Sequence, residues 1–153
     1  PQSMMFRSGR QSKSLEYNGI RYGALICYED ILPRLVLQMM RPKSAPHIFV
    51  NLTNDAWYGA THEPTIHLAL ASFRSVEHRR YMVRSTNTGI SAFIDPVGRI
   101  LSPTPIFAQT ETVHQVVPME TMTRYAQWGD WIAVLCLCIL SGMLCYHTVK
   151  QKK

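Results

Sequence analysis

Short apolar stretches alternate with longer amphipathic ones through most of the chain. Residues 20–28 (IRYGALICY) and 47–52 (HIFVNL) are mostly apolar over the length of one strand, and they predict buried strands. Residues 31–40 and 62–81 repeat apolar positions three and four apart, which predicts two helices. Strands that alternate with helices favour a layered α/β domain.

The stretch after the second helix predicts shorter strands separated by turns. Residues 82–85 and 91–94 are expected to be strands on either side of a turn at residues 87–89 (NTG). The residue types of 95–98 (DPVG) indicate another tight turn. Residues 112–117 predict the final strand of the domain.

The C-terminal apolar run, residues 131–149 (WIAVLCLCILSGMLCYHTV), contains no acidic residue, lysine or arginine over 19 positions. This length suits a transmembrane helix, and Trp128 and Trp131 would anchor one end at the membrane interface. The basic residues of 150–153 would be cytoplasmic by the positive-inside rule, so the preceding domain would lie outside the cytoplasm. A buried core helix is the alternative, because less apolar residues dilute the run.

These patterns divide the chain into five segments. They are a polar remnant of an upstream segment (1–19), the C-terminal part of a catalytic domain (20–118), a juxtamembrane link (119–130), a transmembrane helix (131–149) and a basic cytoplasmic tail (150–153).

The formal net charge of +6 and the pI near 9.4 change this interpretation little. The basic residues are scattered, and no nucleic-acid-binding motif accompanies them. We therefore expect no nucleic-acid partner, and interpret the charge as a solvated face or as attraction to anionic lipid.

Cys27 differs from the other three cysteines, which all lie inside the C-terminal apolar run. This distribution argues against a disulfide framework. Cys27 ends a predicted buried strand and precedes a predicted helix, whose N-terminus would stabilise a thiolate, although Glu29 and Asp30 oppose this. From these residues alone, Cys27 is either an inert core residue or a reactive one.

Four ordered motifs resemble the carbon–nitrogen hydrolase (nitrilase) superfamily and, within it, the apolipoprotein N-acyltransferases. They are residues 25–30 (LICYED), 51–59 (NLTNDAWYG), 84–89 (RSTNTG) and 94–98 (IDPVG). Residues 124–131 (RYAQWGDW) are similar to that family's link into its last membrane span. The resemblance implies part of a nitrilase-type αββα sandwich followed by one C-terminal transmembrane helix. We expect such a half-sandwich to expose strand edges and an apolar face.

The resemblance also implies a Glu-Lys-Cys triad in which Cys27 is the nucleophile and forms a thioester. The family's Glu and Lys lie upstream of the cysteine motif, and 26 residues precede Cys27 here. Glu16 and Lys13 lack the family's surrounding motifs and are not assigned to the triad. We therefore expect both partners to lie outside this sequence, and the polypeptide alone to be inactive.

Further site residues follow from the matched motifs. Tyr28 and Glu29 are implied to support catalysis beside the nucleophile, although a strand-end aromatic and a helix N-terminal acid are ordinary structural features. Asn54, Asp55 and Trp57 are candidate substrate-binding residues, or residues that shape a turn.

Arg84 and a pair of histidines are further candidates for functional residues. Arg84 ends a predicted strand and either faces a phosphate head group or forms a structural ion pair. His62 and His67 are five residues apart with Pro64 between them, whereas a zinc helix needs histidines four apart, so no metal site is expected.

The function implied by the resemblance is N-acyl transfer without a cofactor. An acyl chain would pass from a phospholipid to Cys27, and then to the amine of a diacylglyceryl-cysteine prolipoprotein. The protein would act as a monomer in the bacterial inner membrane, with its catalytic domain on the periplasmic side. A nitrilase-type amidase that hydrolyses a small amide and a non-catalytic membrane-tethered module are the alternatives. Upstream membrane spans and the missing Glu and Lys would distinguish them.

Overall fold

A six-stranded sheet organises residues 13–151, which are the residues that this computed structural model describes. Its three central strands are parallel, and its three outer strands are antiparallel to their neighbours. The expectations for residues 1–12 and 152–153 lie outside the described residues. The strands, in spatial as well as chain order, are β1 (Leu15–Tyr17), β2 (Ile20–Ile26), β3 (Ile48–Thr53), β4 (Tyr81–Thr86), β5 (Ala92–Ile94) and β6 (Ile100–Leu101).

Helices connect the parallel strands on one face of the sheet. A 3₁₀ helix (Cys27–Ile31) and α1 (Pro33–Met39) join β2 to β3, and α2 (Glu63–His78) joins β3 to β4. Since β2, β3 and β4 follow one another in the same direction, right-handed crossovers place both helices on the same side. The layered α/β prediction is therefore confirmed.

The hydrophobic core lies between these helices and the sheet. Burial of a large apolar side chain stabilises the fold by about 1.5–3 kcal/mol, so this layer is the main source of stability. Its buried side chains include Leu25, Phe49, Met82 and Ile94 from the strands and Val36, Met39, Leu68 and Ala71 from the helices.

The opposite face of the sheet keeps apolar side chains in solvent within the described residues. Ile26 and Leu52 are register partners on β2 and β3, and they are 55% and 51% exposed. This agrees with the expected apolar face of a half-sandwich.

Strand β1 was not predicted, because Leu15–Tyr17 is exposed throughout and carries no burial pattern. Its pairing with β2 depends on a two-residue turn in which Asn18 and Gly19 have φ values of 49° and 74°. Asn-Gly is the dipeptide that such hairpins favour. The signal was present in the sequence, within the segment interpreted as a polar remnant.

The strand predicted at residues 112–117 is wrong. This segment forms no ladder with any described strand, and Val113 is 91% exposed. The sheet instead ends at the short strand β6, which was not predicted. An alternating pattern is insufficient for a strand when no neighbouring edge accepts its backbone hydrogen bonds.

A buried arginine attaches the juxtamembrane link to the domain. The Arg80 guanidinium is fully buried and donates to the carbonyls of Pro46 and Thr121, both at 2.6 Å. Thr123 caps helix α3 (Arg124–Trp128) by accepting from Ala126 N at 3.0 Å, and its hydroxyl also donates to the carbonyl of Glu77. The link is therefore bound where β3 and β4 begin.

Helix α4 (Trp131–Gln151) covers the predicted membrane span. Its window from residue 131 to residue 148 has a mean hydropathy of 1.8, and none of it is buried within the structure. Within the part of the chain that the structure describes, this helix is therefore not buried in the core. At its start, the rings of Trp128 and Trp131 meet edge to face, 5.6 Å apart.

The acid stability of the domain should depend on His78, which is buried between Phe49 and Tyr125. Burial, followed by the charges of Arg74 and Arg80, lowers the pKa of His78 to about 3, from 6.5. Between these values the unfolded chain binds a proton that the native state does not, so stability falls as the pH falls.

We expect His78 to lower the free energy of unfolding by about 2 kcal/mol when the pH falls from 7 to 5. His78→Gln should remove that part of the pH dependence. Unfolding measured at both pH values tests this. The exposed His62 provides the control, His62→Gln, which should keep the full dependence. An unchanged pH dependence in His78→Gln would contradict the expectation.

Candidate active site

Cys27 lies at a sharp turn where β2 ends and the 3₁₀ helix begins. Its φ is 51°, in the left-handed region that non-glycine residues rarely occupy, at a cost of about 1–3 kcal/mol. The residue is half-buried, and its carbonyl accepts a hydrogen bond of 3.0 Å from Asn51 Nδ2. Because the parallel strands end together here, Cys27 lies at the sheet edge where the loops of the second and third matched motifs also begin, whereas the fourth motif follows the antiparallel strand β5 and lies at the opposite edge.

Tyr28 and Glu29 make different contacts beside this cysteine. The Glu29 carboxylate turns back and accepts from Ile26 N at 2.8 Å, which closes the turn. The Tyr28 hydroxyl donates to Glu63, and its ring stacks on His67 with centroids 4.3 Å apart. Burial and then the hydrogen bond to Glu63 raise the pKa of Tyr28, so its phenol stays protonated and acts as a donor.

A buried ion pair supports the turn from below. Asp30 is fully buried, and its carboxylate accepts from Arg84 Nη1 at 2.6 Å and from His67 Nε2 at 2.8 Å. Arg84 is 2% exposed. The ion-pair interpretation of Arg84 is therefore confirmed, and the phosphate head-group interpretation is wrong. Asp30 and His67 were not singled out as site residues, because their partners come from distant parts of the sequence.

The loop after β3 lies beside the Cys27 turn. It contains a 3₁₀ helix at Ala56–Tyr58, and the Tyr58 ring lies 6.0 Å from that of Tyr28. Trp57 is 84% exposed, so it presents a large apolar surface next to the site. Asn54 is also exposed, whereas Asp55 is 1% exposed and points into the domain.

The turn between β4 and β5 fixes this loop. Asn87 Nδ2 donates to Asn54 Oδ1 at 2.7 Å, and Asn87 Oδ1 accepts from Asp55 N at 3.1 Å. The Asp55 carboxylate packs against Gly89 so closely that a Cβ at that position would overlap it. The second and third matched motifs are therefore two halves of one contact.

Asp55, Glu63 and His67 each offer a ligand atom, and these atoms lie within 4.8 Å of one another. This grouping could not be seen from the spacing of the two histidines. However, Arg84 Nη2 lies 3.0 Å from His67 Nδ1 and 3.4 Å from Asp55 Oδ2. A fixed guanidinium at this distance opposes binding of a divalent cation by charge repulsion.

Glu16 lies far from Cys27, as its exclusion from the triad requires. On β1 it lies opposite Arg21, near the start of β2, whereas Cys27 follows the end of that strand. The separation is roughly 20 Å at about 3.3 Å per residue. Lys13 is exposed and precedes β1.

Comparison with known proteins identifies relatives over most of the chain. Residues 2–127 match the carbon-nitrogen hydrolase family. An apolipoprotein N-acyltransferase of Pseudomonas putida is 34% identical over 145 residues, and apolipoprotein N-acyltransferase 2 of Leptospira interrogans is 46% identical over 122 residues. The alignments cover 94% and 78% of this chain. They cover 28% and 20% of those relatives, so the chain spans about a quarter of their length.

Solved structures with the same fold are more distant in sequence. A glutamine-dependent NAD+ synthetase from Acinetobacter baumannii superposes with a TM-score of 0.57 at 22% identity, over 69% of this chain and 21% of that one. An amidase of the nitrilase superfamily from Nesterenkonia gives 0.54 at 18% identity, over 66% and 40%. The nitrilase-type fold is therefore confirmed.

Gly89→Ala should displace the Asp55 carboxylate and loosen the loop that carries Trp57. We expect a loss of about 1–3 kcal/mol in stability, as for other overpacked sites. Thermal unfolding measures this loss of stability. Quenching of Trp57 fluorescence, taken as the difference from the same protein with Trp57→Phe, measures the change in the loop. Gly142→Ala is the matched control, because an added Cβ there meets nothing within 4 Å. Equal melting temperatures for the two variants would contradict the contact.

Proposed function

This chain belongs to the carbon–nitrogen hydrolase family, and on that premise we propose that it carries the nucleophilic cysteine of a membrane-bound N-acyltransferase. The observation that carries the proposal is Cys27, held in a left-handed turn at the C-terminal edge of the parallel strands. A thiol carried on such a turn at the end of a strand can approach a carbonyl carbon. The relatives named apolipoprotein N-acyltransferase support this choice of reaction within the family.

The proposed reaction has two acyl-transfer steps. The Cys27 thiolate attacks an ester carbonyl of a phospholipid, and the lysophospholipid alcohol leaves with a proton. The resulting thioester is attacked by the amine of a diacylglyceryl-cysteine prolipoprotein, which forms an amide and restores the thiol. No cofactor is required, because each step only exchanges one nucleophile for another at the same carbonyl carbon.

Groups around Cys27 would assist these steps. Backbone N–H groups at the start of the 3₁₀ helix can donate to the oxyanion that forms at the carbonyl. Glu29 holds the turn closed, and Tyr28, next to Cys27 in sequence, is fixed by its hydrogen bond to Glu63.

The loop after β3 would bind the substrates. Trp57 is 84% exposed and would contact an acyl chain, while Asn54 offers polar atoms near the acyl carbonyl. Asp55 would act from inside, since its buried carboxylate packs on Gly89 and keeps the loop in place. We therefore propose substrate contacts for Trp57 and Asn54, and for Asp55 the alternative predicted from the sequence, a residue that shapes the loop.

Helix α4 would hold the site at the membrane that contains both substrates. Its length and apolar composition suit a bilayer, and Trp128 and Trp131 would lie at the interface. We propose that the domain is periplasmic, that the C-terminus is cytoplasmic and that the enzyme acts as a monomer in the inner membrane. Confinement of the nucleophile to the bilayer surface raises its encounter rate with lipid substrates.

Cys27→Ala should abolish acylation in the complete gene product that contains this sequence. Intact-mass analysis after incubation with phospholipid vesicles should show one added acyl group on the wild type and none on the variant. Cys138→Ala, in the apolar helix, is the control and should keep the adduct. Retention of the adduct by Cys27→Ala would refute the assignment. An adduct formed from a small amide instead of phospholipid would favour the amidase alternative.

The topology can be tested with single cysteines in a background where the four native cysteines are serine. In spheroplasts, a membrane-impermeant maleimide should label Glu111→Cys, which lies in the domain, but should not label Lys150→Cys. The reason is that the proposed span separates the two positions. Labelling of both positions in detergent is the control. Labelling of Lys150→Cys alone in spheroplasts would reverse the proposed orientation.

A further inference from the structure

One guanidinium contacts both loops of the candidate site. Arg84 Nη1 donates to Asp30 Oδ2 at 2.6 Å and to Asn51 Oδ1 at 2.9 Å. Nη2 lies 3.0 Å from His67 Nδ1 and 3.4 Å from Asp55 Oδ2. A single side chain from β4 thereby contacts the 3₁₀ helix that begins at Cys27, strand β3, helix α2 and the loop after β3. This loop, residues 54–62, is called the substrate loop below.

Asn51 extends this contact to the nucleophile itself. Its Oδ1 accepts from Arg84, which leaves Nδ2 directed at the Cys27 carbonyl, 3.0 Å away. Thr53 donates to the same Oδ1 at 2.8 Å and fixes the orientation of the amide. A displacement of Arg84 would therefore reach the backbone of Cys27 through one intervening side chain.

His67 completes the arrangement through both of its ring nitrogens. Its Nε2 faces the Asp30 carboxylate at 2.8 Å, and its Nδ1 faces an Arg84 N–H at 3.0 Å. A ring with its proton on Nε2 satisfies both neighbours, since it donates to the carboxylate and accepts from the guanidinium. This tautomer is assigned from its partners.

Building on the proposed function, we propose that Arg84 is a positioning residue that holds the Cys27 turn and the substrate loop in fixed relation. The planar fork of arginine is required, because its two terminal nitrogens serve separate loops at once. A lysine would keep the charge but offers one nitrogen, which cannot contact Asp30, Asn51 and Asp55 together. The left-handed conformation of Cys27 would then lose its support from Asn51.

The test compares two buried arginines. Arg84→Lys should lower the rate of Cys27 alkylation by iodoacetamide, and kcat for acyl transfer, roughly 10- to 100-fold, with KM changed less than about threefold. Arg74 is also buried and pairs with Glu77 on α2, away from the Cys27 turn. Arg74→Lys should therefore leave both rates within about twofold of wild type while it lowers the melting temperature.

Both variants are measured in the complete gene product, with alkylation followed by intact mass. Equal losses of rate in Arg84→Lys and Arg74→Lys would show a general effect of destabilisation and overturn the proposal. So would unchanged rates in Arg84→Lys. Alkylation needs no acyl donor, so it tests positioning even if the wild type forms no acyl adduct, which would refute only the proposed function.

Asn51→Ala provides a second variant should Arg84→Lys fail to fold. It removes the donor to the Cys27 carbonyl but keeps the pairing of Arg84 with Asp30. We expect the alkylation rate and kcat to fall in the same direction by roughly tenfold, with KM little changed. An alkylation rate equal to that of the wild type would overturn the proposal.

Discussion

The guanidinium of Arg84 carries a positive charge in a place that water scarcely reaches, and the surrounding structure is arranged to neutralise it. Removing such a charge from water costs several kcal/mol unless an opposite charge and hydrogen-bond acceptors replace the solvent. Asp30 supplies the charge, and His67 and Asn51 supply acceptors. Since these groups come from separate elements, the full set of contacts can form only when the first 3₁₀ helix, β3, β4 and α2 are all in their native positions.

This dependence connects the first three matched motifs, which lie at one edge of the sheet. The Cys27 turn rests on Asp30 and Asn51, while Asp55 rests on Gly89 and approaches Arg84. Each loop would be unstable alone, because a left-handed cysteine and a buried carboxylate are both unfavourable without partners. The unfavourable conformation of Cys27 is therefore stabilised by the contacts of Asp30 and Asn51.

A second buried arginine has a different function at the beginning of the same strand. Arg80 directly precedes β4 and binds the carbonyls of Pro46 and Thr121, whereas Arg84 lies within β4 and supports the candidate site. The first fixes the link that leads to α4, and the second fixes the Cys27 turn. Strand β4 thus lies between the attachment of the link and the Cys27 turn as one hydrogen-bonded element.

The sequence by itself determined the alternation of strands and helices, the apolar helix and the position of Cys27 after a strand, because these follow from local periodicity and chain order. It also contained the Asn18–Gly19 hairpin signal, which composition obscured. Only the tertiary structure showed that residues 112–117 find no strand partner and that Asp30, His67 and Arg84 meet. Asp30 meets partners 37 and 54 positions away along the chain, and no spacing rule encodes which buried charges will neutralise each other.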